Sequence, residues 1–121
     1  MAIRTPITAR RLDAYKVALE LLAYLRPIVE RIRRDNKELA EQLDRSMPSI
    51  VNNLCEAMRR TGDDRPYLLN VSLGSTDEVR SSVDTAHVFG LMHKREAEHA
   101  DGLADRYCAM VYRLRQWCLV G

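Results

Sequence analysis

The sequence predicts an all-α protein, an antiparallel up-down-up-down four-helix bundle. Four stretches carry apolar residues at the three- and four-residue spacing of an amphipathic helix. Turn-forming residues are few, with five glycines and four prolines, and two of the glycines, Gly62 and Gly90, fall between those stretches. At 46% hydrophobic and 30% charged residues, the 121-residue chain suits a single helical domain, 1–121, better than a disordered or all-β protein.

The first predicted helix spans residues 8–34. Pro27 lies in its interior, where a proline costs about 3 kcal/mol, so we expect a bend there rather than a straight rod. Asp35 and Asn36 then supply a turn and an N-cap for the next helix. The apolar residues of this helix make a face wide enough for a bundle: Leu12, Tyr15, Leu19, Leu22 and Val29, widened by Ala18, Leu21, Leu25, Ile28 and Ile32.

The second predicted helix spans residues 37–60, with Pro48 as another site for a bend. Gly62 lies just beyond its end, which is where helices often stop at glycine. The apolar line of this helix is continuous: Leu39, Leu43, Met47, Ile50 and Leu54.

The third and fourth predicted helices span residues 66–88 and 94–118. Asp63 or Asp64 caps the third helix, and Pro66 lies in its first turn. Short connections place each helix antiparallel to the one before it. The predicted inner faces are Tyr67, Leu68, Val71, Val79 and Val83 on the third helix, and Leu103, Tyr107, Met110, Val111, Leu114 and Trp117 on the fourth.

A line of small and polar residues runs beside the apolar line of the second helix, and the third helix offers a matching one. We expect the two lines to pack together. An unpaired buried charge costs several kcal/mol, so Arg45 is expected to pair with a carboxylate of the set. The set either fixes the register of the two helices or lines a pocket or partner site. We call it the polar seam: Gln42, Arg45, Ser49, Asn53, Glu56, Gly74, Ser75 and Glu78, with Ser46 on the same line.

The identity and spacing of these residues resemble the motif of a known family. Its members are small four-helix-bundle proteins encoded in intervening sequences of bacterial 23S ribosomal RNA genes. Asp44 stands where that family usually has an arginine, and Ala57 where it has glycine. The resemblance implies a four-helix bundle and no established enzymatic reaction. The motifs that carry it are Gln42-x-x-Arg45-x-x-x-Ser49-Ile50-x-x-Asn53-Leu54-x-Glu56 and Leu73-Gly74-Ser75-x-x-Glu78.

The resemblance also implies partners. Members of the family form symmetric rings, commonly of five subunits, so we expect a non-enzymatic homo-oligomeric assembly module. The family is also similar to the accessory variability protein of diversity-generating retroelements, which engages RNA and a reverse transcriptase through a basic surface. The alternative is therefore an adaptor that binds RNA or an RNA-binding protein.

Arginine clusters bear on that alternative. Sixteen of the nineteen basic residues are arginine, although the net charge is only +2. Arginine suits phosphate forks and interface ion pairs, so the clusters are candidates for nucleic-acid or subunit contacts, or they are solvated helix ends. The residues in question are Arg31, Arg33, Arg34, Arg59 and Arg60.

We expect no catalytic residue, no metal and no cofactor. Glu96 and His99 have the helical spacing of a di-iron site, and Asp84 with His87 repeats it, but the first helix offers no inward carboxylate to complete such a site. Three cysteines at no ligand spacing fit reduced thiols. No apolar run approaches the roughly 20 residues of a membrane span, and no signal peptide is evident, so a cytoplasmic protein is expected.

Overall fold

The computed structural model of the chain describes residues 12–120. Within this range there is no strand, and no helix is long and apolar enough to cross a membrane. Each helix packs on the next, and the fourth packs back on the first. Short connections make neighbours antiparallel, which confirms the predicted up-down-up-down bundle. The helices are α1 (Asp13–Asp35), α2 (Lys37–Arg59), α3 (Asp64–Val88) and α4 (Lys94–Val120).

The predicted helix boundaries agree with these to within about two residues, apart from the predicted start at residue 8, which lies outside the described residues. Pro27 and Pro48 are both exposed, and neither ends its helix. The bend predicted at each of them stays a prediction. Asp63 takes the N-cap position of α3, but its side chain makes no capping hydrogen bond.

Side chains satisfy the backbone groups at both ends of α2. The Asn36 side-chain oxygen accepts a hydrogen bond from the backbone N–H of Leu39 at 3.0 Å, so Asn36 is the predicted N-cap. At the other end, the Arg65 guanidinium donates to the carbonyl oxygens of Ala57 at 3.2 Å and Met58 at 3.4 Å. The Ala57 carbonyl also accepts the backbone N–H of Arg60 at 3.1 Å. Arg65 adds side-chain bonds that tie the start of α3 to the end of α2.

Glycine ends α3 in the left-handed conformation. Gly90 has a φ of 75°, its N–H donates to the His87 carbonyl at 3.0 Å, and the Leu91 N–H donates to the Ala86 carbonyl at 2.8 Å. This is the Schellman arrangement, and it turns the chain sharply toward α4. Gly62, between α2 and α3, also has a positive φ, 63°.

The buried apolar residues of all four helices form one cluster. Three side chains predicted to face inward are instead exposed: Leu19 by 42%, Tyr67 by 65% and Trp117 by 58%. On α1, the neighbouring Ala18 and Leu21 occupy the interior, which turns Leu19 outward. Tyr67 and Trp117 lie in terminal turns, where fewer neighbouring helices are present to cover them.

Candidate functional site

The polar seam lies where α2 packs on α3. The hydroxyl oxygens of Ser49 and Ser75 are 2.7 Å apart, one donating to the other. The Asn53 amide donates to the Ser49 hydroxyl at 3.0 Å and to the Ser49 carbonyl at 2.8 Å. One turn away, the Ser46 hydroxyl donates to the Glu78 carboxylate at 3.0 Å. Short side chains that satisfy each other let the two helices approach closely.

A polar cleft of about 270 Å³ opens at one end of the seam, and Arg45 stands at its edge. The expected pairing of Arg45 with a buried carboxylate is wrong, because Arg45 is exposed and makes no hydrogen bond or ion pair within residues 12–120. The 100° step between successive helical residues turns Ser46 toward the core and leaves Arg45 outside. The cleft is lined by Gln42, Arg45, Ser46, Glu78, Ser81 and Ser82.

The other predicted seam residues divide between contact and surface. Gln42 and Gly74 are exposed, and a methyl group at Gly74 would meet no atom within 4 Å. The Glu56 carboxylate points along its own helix to Arg60, with 2.7 Å between Oε1 and Nη2. Among the described residues, Glu56 makes no hydrogen bond or ion pair with α3.

Arg31 joins α1 to the start of α4. Its guanidinium donates two hydrogen bonds to the Glu96 carboxylate, at 3.0 and 2.5 Å, and a third to the Leu91 carbonyl at 3.3 Å. The same carboxylate accepts the backbone N–H of His93, the residue just before α4, at 3.0 Å, as the third helical residue does in a capping box. Hydrogen bonding to Arg31 lowers the pKa of Glu96 below its ordinary value. Arg31, one of the arginines predicted to contact phosphate, is therefore already bound to a carboxylate.

The remaining arginines of the clusters differ in what they contact. Arg33 lies between Glu30 and Asp44, with 2.7 Å from Nη2 to the nearer Asp44 oxygen. Arg60 is paired with Glu56, as described above. Arg34 and Arg59 are exposed and have no ion pair among the described residues. Two of the five predicted contacts are therefore open to a partner without breaking an existing bond.

A comparison with family models decides what kind of protein this is. Residues 10–113 match the model of the 23S rRNA-intervening sequence protein family. The chain belongs to that family. No curated protein matches it. The match spans the polar seam, the cleft and all five arginines, so these features belong to the part of the chain that the family model covers.

This family member also has a buried polar junction that the apolar pattern of the sequence does not reveal. The Ser72 hydroxyl donates to the Ile50 carbonyl at 2.7 Å and lies 2.6 Å from the Tyr107 hydroxyl, which is itself 3.4 Å from that carbonyl. The apolar spacing of α4 predicts that Tyr107 faces inward, as it does. A search for apolar residues at helical spacing cannot identify Ser72 as a core residue, because serine is polar. Burial raises the pKa of the Tyr107 phenol well above its ordinary value.

Glu96 and His99, whose spacing is that of a di-iron site, each contact a different residue. His99 stacks at a tilt on Tyr24 with 4.3 Å between ring centroids, while Glu96 faces Arg31. Within residues 12–120, no group of three or more His, Cys, Asp or Glu residues is placed to hold a metal ion. Cys55, Cys108 and Cys118 are half-buried free thiols, and burial raises the pKa of Cys108.

Proposed function

We propose that this family member is a non-enzymatic assembly module that associates with copies of itself into a symmetric homo-oligomer, a ring of five. The observation that carries the proposal is the placement of its few aromatic residues. Four of the seven are exposed by more than half, namely Tyr67 65%, Phe89 60%, Tyr112 55% and Trp117 58%. Tyrosine, tryptophan and phenylalanine are enriched at subunit interfaces, and large apolar side chains standing together in solvent favour association.

Five of the seven large exposed apolar side chains among the described residues fall in two groups toward opposite ends of α3. Tyr67 lies in its first turn and follows Pro66, which lines a groove together with Trp117 and Leu119 of α4. Val88 and Phe89 lie at its other end, exposed by 79% and 60%. A ring needs two different surfaces on each subunit, one for each neighbour, and the two groups supply candidates for them.

The alternative, an RNA-associated adaptor, has weaker support. A guanidinium already bound to a carboxylate must break that contact before it binds phosphate, and Arg31, Arg33 and Arg60 are all so bound. Of the five predicted arginines, Arg34 and Arg59 remain as candidate phosphate ligands, and the net charge of the whole chain is only +2. Among the described residues, neither arginine lies over an aromatic ring, and single-strand binding usually combines a basic groove with aromatic side chains on which bases stack.

Light scattering coupled to size exclusion tests the proposal. The wild-type protein is expected at a mass near five times the 13.9 kDa of the chain. Tyr67→Ser with Trp117→Ser, and separately Val88→Ser with Phe89→Ser, should lower that mass while the helical circular dichroism persists. Gln116→Ser, an exposed polar change near Trp117, is the matched control. A wild-type monomer at every concentration from micromolar to millimolar contradicts self-association.

The same samples distinguish the RNA alternative. If the arginines bind phosphate, RNA affinity falls steeply with salt, by about one unit of log-log slope for each neutralised phosphate. Arg59→Gln should then reduce the slope by about one, whereas Arg60→Gln, which removes a guanidinium held by Glu56, should change it less. Submicromolar RNA binding at physiological salt that is lost in Arg59→Gln, with the mass unchanged, would establish the adaptor instead.

A further inference from the structure

The polar cleft between α2 and α3 is lined by residues at the same spacing on each helix. Positions i, i+3 and i+4 lie on one face of a helix, so one turn of α2 and one turn of α3 both contribute to it. The cleft encloses about 270 Å³, and the residues that line it are all polar or charged. Because polar groups leave water only for partners that hydrogen-bond them, this lining suits a small polar ligand. The residues are Gln42, Arg45 and Ser46 on α2, and Glu78, Ser81 and Ser82 on α3.

Arg45 and Glu78 bring opposite charges to the cleft without pairing them. Both are exposed, and no ion pair joins them. Glu78 accepts a hydrogen bond from the Ser46 hydroxyl on Oε2, and its other oxygen has no donor among the described residues. Arg45 has neither a hydrogen bond nor an ion pair in that part of the chain. The cleft therefore offers a guanidinium and a carboxylate oxygen to a ligand.

Ser82 adds a buried hydroxyl to the cleft. Its side chain lines the cleft and the residue is only 5% exposed. The other two serines of the cleft donate hydrogen bonds to Glu78, Ser46 to its carboxylate and Ser81 to its backbone carbonyl at 3.3 Å. The Ser82 hydroxyl makes no hydrogen bond within residues 12–120. Buried hydroxyls are rarely left without a partner, so a ligand in the cleft would supply the one that Ser82 lacks.

We infer that this cleft binds a free α-amino acid with a short polar side chain. The guanidinium of Arg45 donates to the ligand carboxylate, and the free oxygen of Glu78 accepts from the ligand ammonium group. A ligand with a single charge would be attracted by one of these residues and repelled by the other, whereas an α-amino acid carries both charges on one carbon. The Ser82 hydroxyl and the Gln42 amide, which both donate and accept, are left for the remaining polar groups of the ligand. The cleft is formed within one chain, so this inference does not depend on the proposed self-association.

Isothermal titration calorimetry with L-asparagine and two smaller analogues tests the inference. Succinamic acid is asparagine without its ammonium group, and β-alaninamide is asparagine without its carboxylate, so neither analogue adds bulk. L-Asparagine should bind the wild-type protein with a Kd of about 1 mM or lower. Each analogue should bind at least about tenfold more weakly, because one charged group of the cleft then has no partner.

Variants of the cleft assign each charge of the ligand to its residue. Arg45→Gln should weaken L-asparagine binding at least about tenfold but should not weaken β-alaninamide, which has no carboxylate to lose. Glu78→Gln should weaken L-asparagine to a similar extent but should not weaken succinamic acid, which has no ammonium group. Ser82→Ala should weaken L-asparagine about fivefold without lowering the midpoint of thermal unfolding, because its hydroxyl has no partner among the described residues.

Arg34→Gln and Glu38→Gln are the matched controls. Both residues are exposed, lie outside the cleft and have no ion pair among the described residues, so both variants should bind L-asparagine like the wild type.

The inference is overturned if L-asparagine, L-serine and L-glutamine all fail to bind at about 10 mM. It is equally overturned if β-alaninamide binds as tightly as L-asparagine, or if Arg45→Gln and Glu78→Gln leave the affinity for L-asparagine unchanged. A ring of five that binds no amino acid leaves the proposed function standing, whereas a monomer that binds L-asparagine overturns the proposed function alone.

Discussion

At the scale of single residues, Glu96 holds three parts of the chain together. Its carboxylate binds the Arg31 guanidinium of α1 and the backbone N–H of His93 before α4, while Arg31 also reaches the Leu91 carbonyl. A glutamate three residues before a histidine on a helix is equally typical of a metal ligand. The sequence spacing cannot distinguish these roles, since the deciding partner, Arg31, is 65 residues away.

Replacing Glu96 by glutamine should lower the free energy of unfolding by about 1 kcal/mol at pH 7, because the charge-assisted bonds to Arg31 are lost from a partly exposed site. The pKa of Glu96 is lowered in the folded state from its ordinary 4.5. Its contribution is therefore present above pH 4.5 and is lost as pH falls through the folded pKa. Urea unfolding at pH 3 to 7 should show wild type and variant converging in acid.

Glu98→Gln is the control for that experiment, since Glu98 is exposed and its contact with Lys94 is 3.8 Å long. It should change stability by a few tenths of a kcal/mol at most. A difference between wild type and Glu96→Gln that is equal at pH 3 and pH 7 would show that Glu96 acts without its charge.

Tyr107 makes a second prediction at this scale. Its buried phenol keeps its proton in the folded state to a higher pH than in the unfolded chain, where the ordinary pKa is 10.0. Wild type should therefore lose stability as pH rises above about 10, and Tyr107→Phe should lack that component of the loss. At pH 7 the variant should cost about 1 kcal/mol, because Ser72 keeps its hydrogen bond to the Ile50 carbonyl.

Urea unfolding between pH 7 and 11 measures this, with Tyr112→Phe as control. Tyr112 is 55% exposed, and its replacement should alter stability little at any of these pH values. Parallel stability curves for wild type and Tyr107→Phe above pH 10 would contradict a protected phenol.

At the scale of elements, the buried face of α2 could be predicted well and that of α3 only in part, since Val79 and Val83 are buried as predicted. The apolar line of α2, from Leu39 to Leu54, is buried throughout because its apolar residues recur at helical spacing. On α3, Ser72 and Thr76 are fully buried. The Thr76 hydroxyl donates to the Ser72 carbonyl at 2.9 Å, so its polarity is satisfied within the helix. A pattern of apolar residues does not predict a buried position that is occupied by a serine or threonine whose hydroxyl is hydrogen-bonded.

The polar seam could likewise be predicted only in part. Spacing placed Ser49 and Ser75 on facing lines, and their hydroxyls meet at 2.7 Å. It did not place Arg45, whose long side chain and outward angle remove it from the contact. Short side chains follow the helix geometry that a sequence reveals, whereas the position of a long charged one depends on partners that the sequence does not specify.

At the scale of the whole molecule, the sequence shows which residues are apolar but not which surface covers them. Leu19, Tyr67 and Trp117 were predicted to face the core and are exposed. An apolar residue that faces a partner has the same pattern as one that faces its own core. These exposed side chains are the ones expected at a surface that another subunit covers.

The two halves of α1 differ in how they contact the other helices. Its ion pairs and hydrogen bonds to other helices come from Arg26, Arg31 and Arg33, all toward its C-terminal end, and reach Asp44 and Glu96. Residues 13–25 make none among the described residues and are held by apolar packing.

Helix α1 also contacts its neighbours less extensively than α2 contacts α3. Local opening is expected first where contacts are fewest, so the N-terminal half of α1 should separate while the α2–α3 pair stays closed. In native-state hydrogen–deuterium exchange, amides of 17–25 should exchange at least tenfold faster than those of 46–54. Equal protection across the two segments would mean that the four helices part only together, as a single cooperative unit.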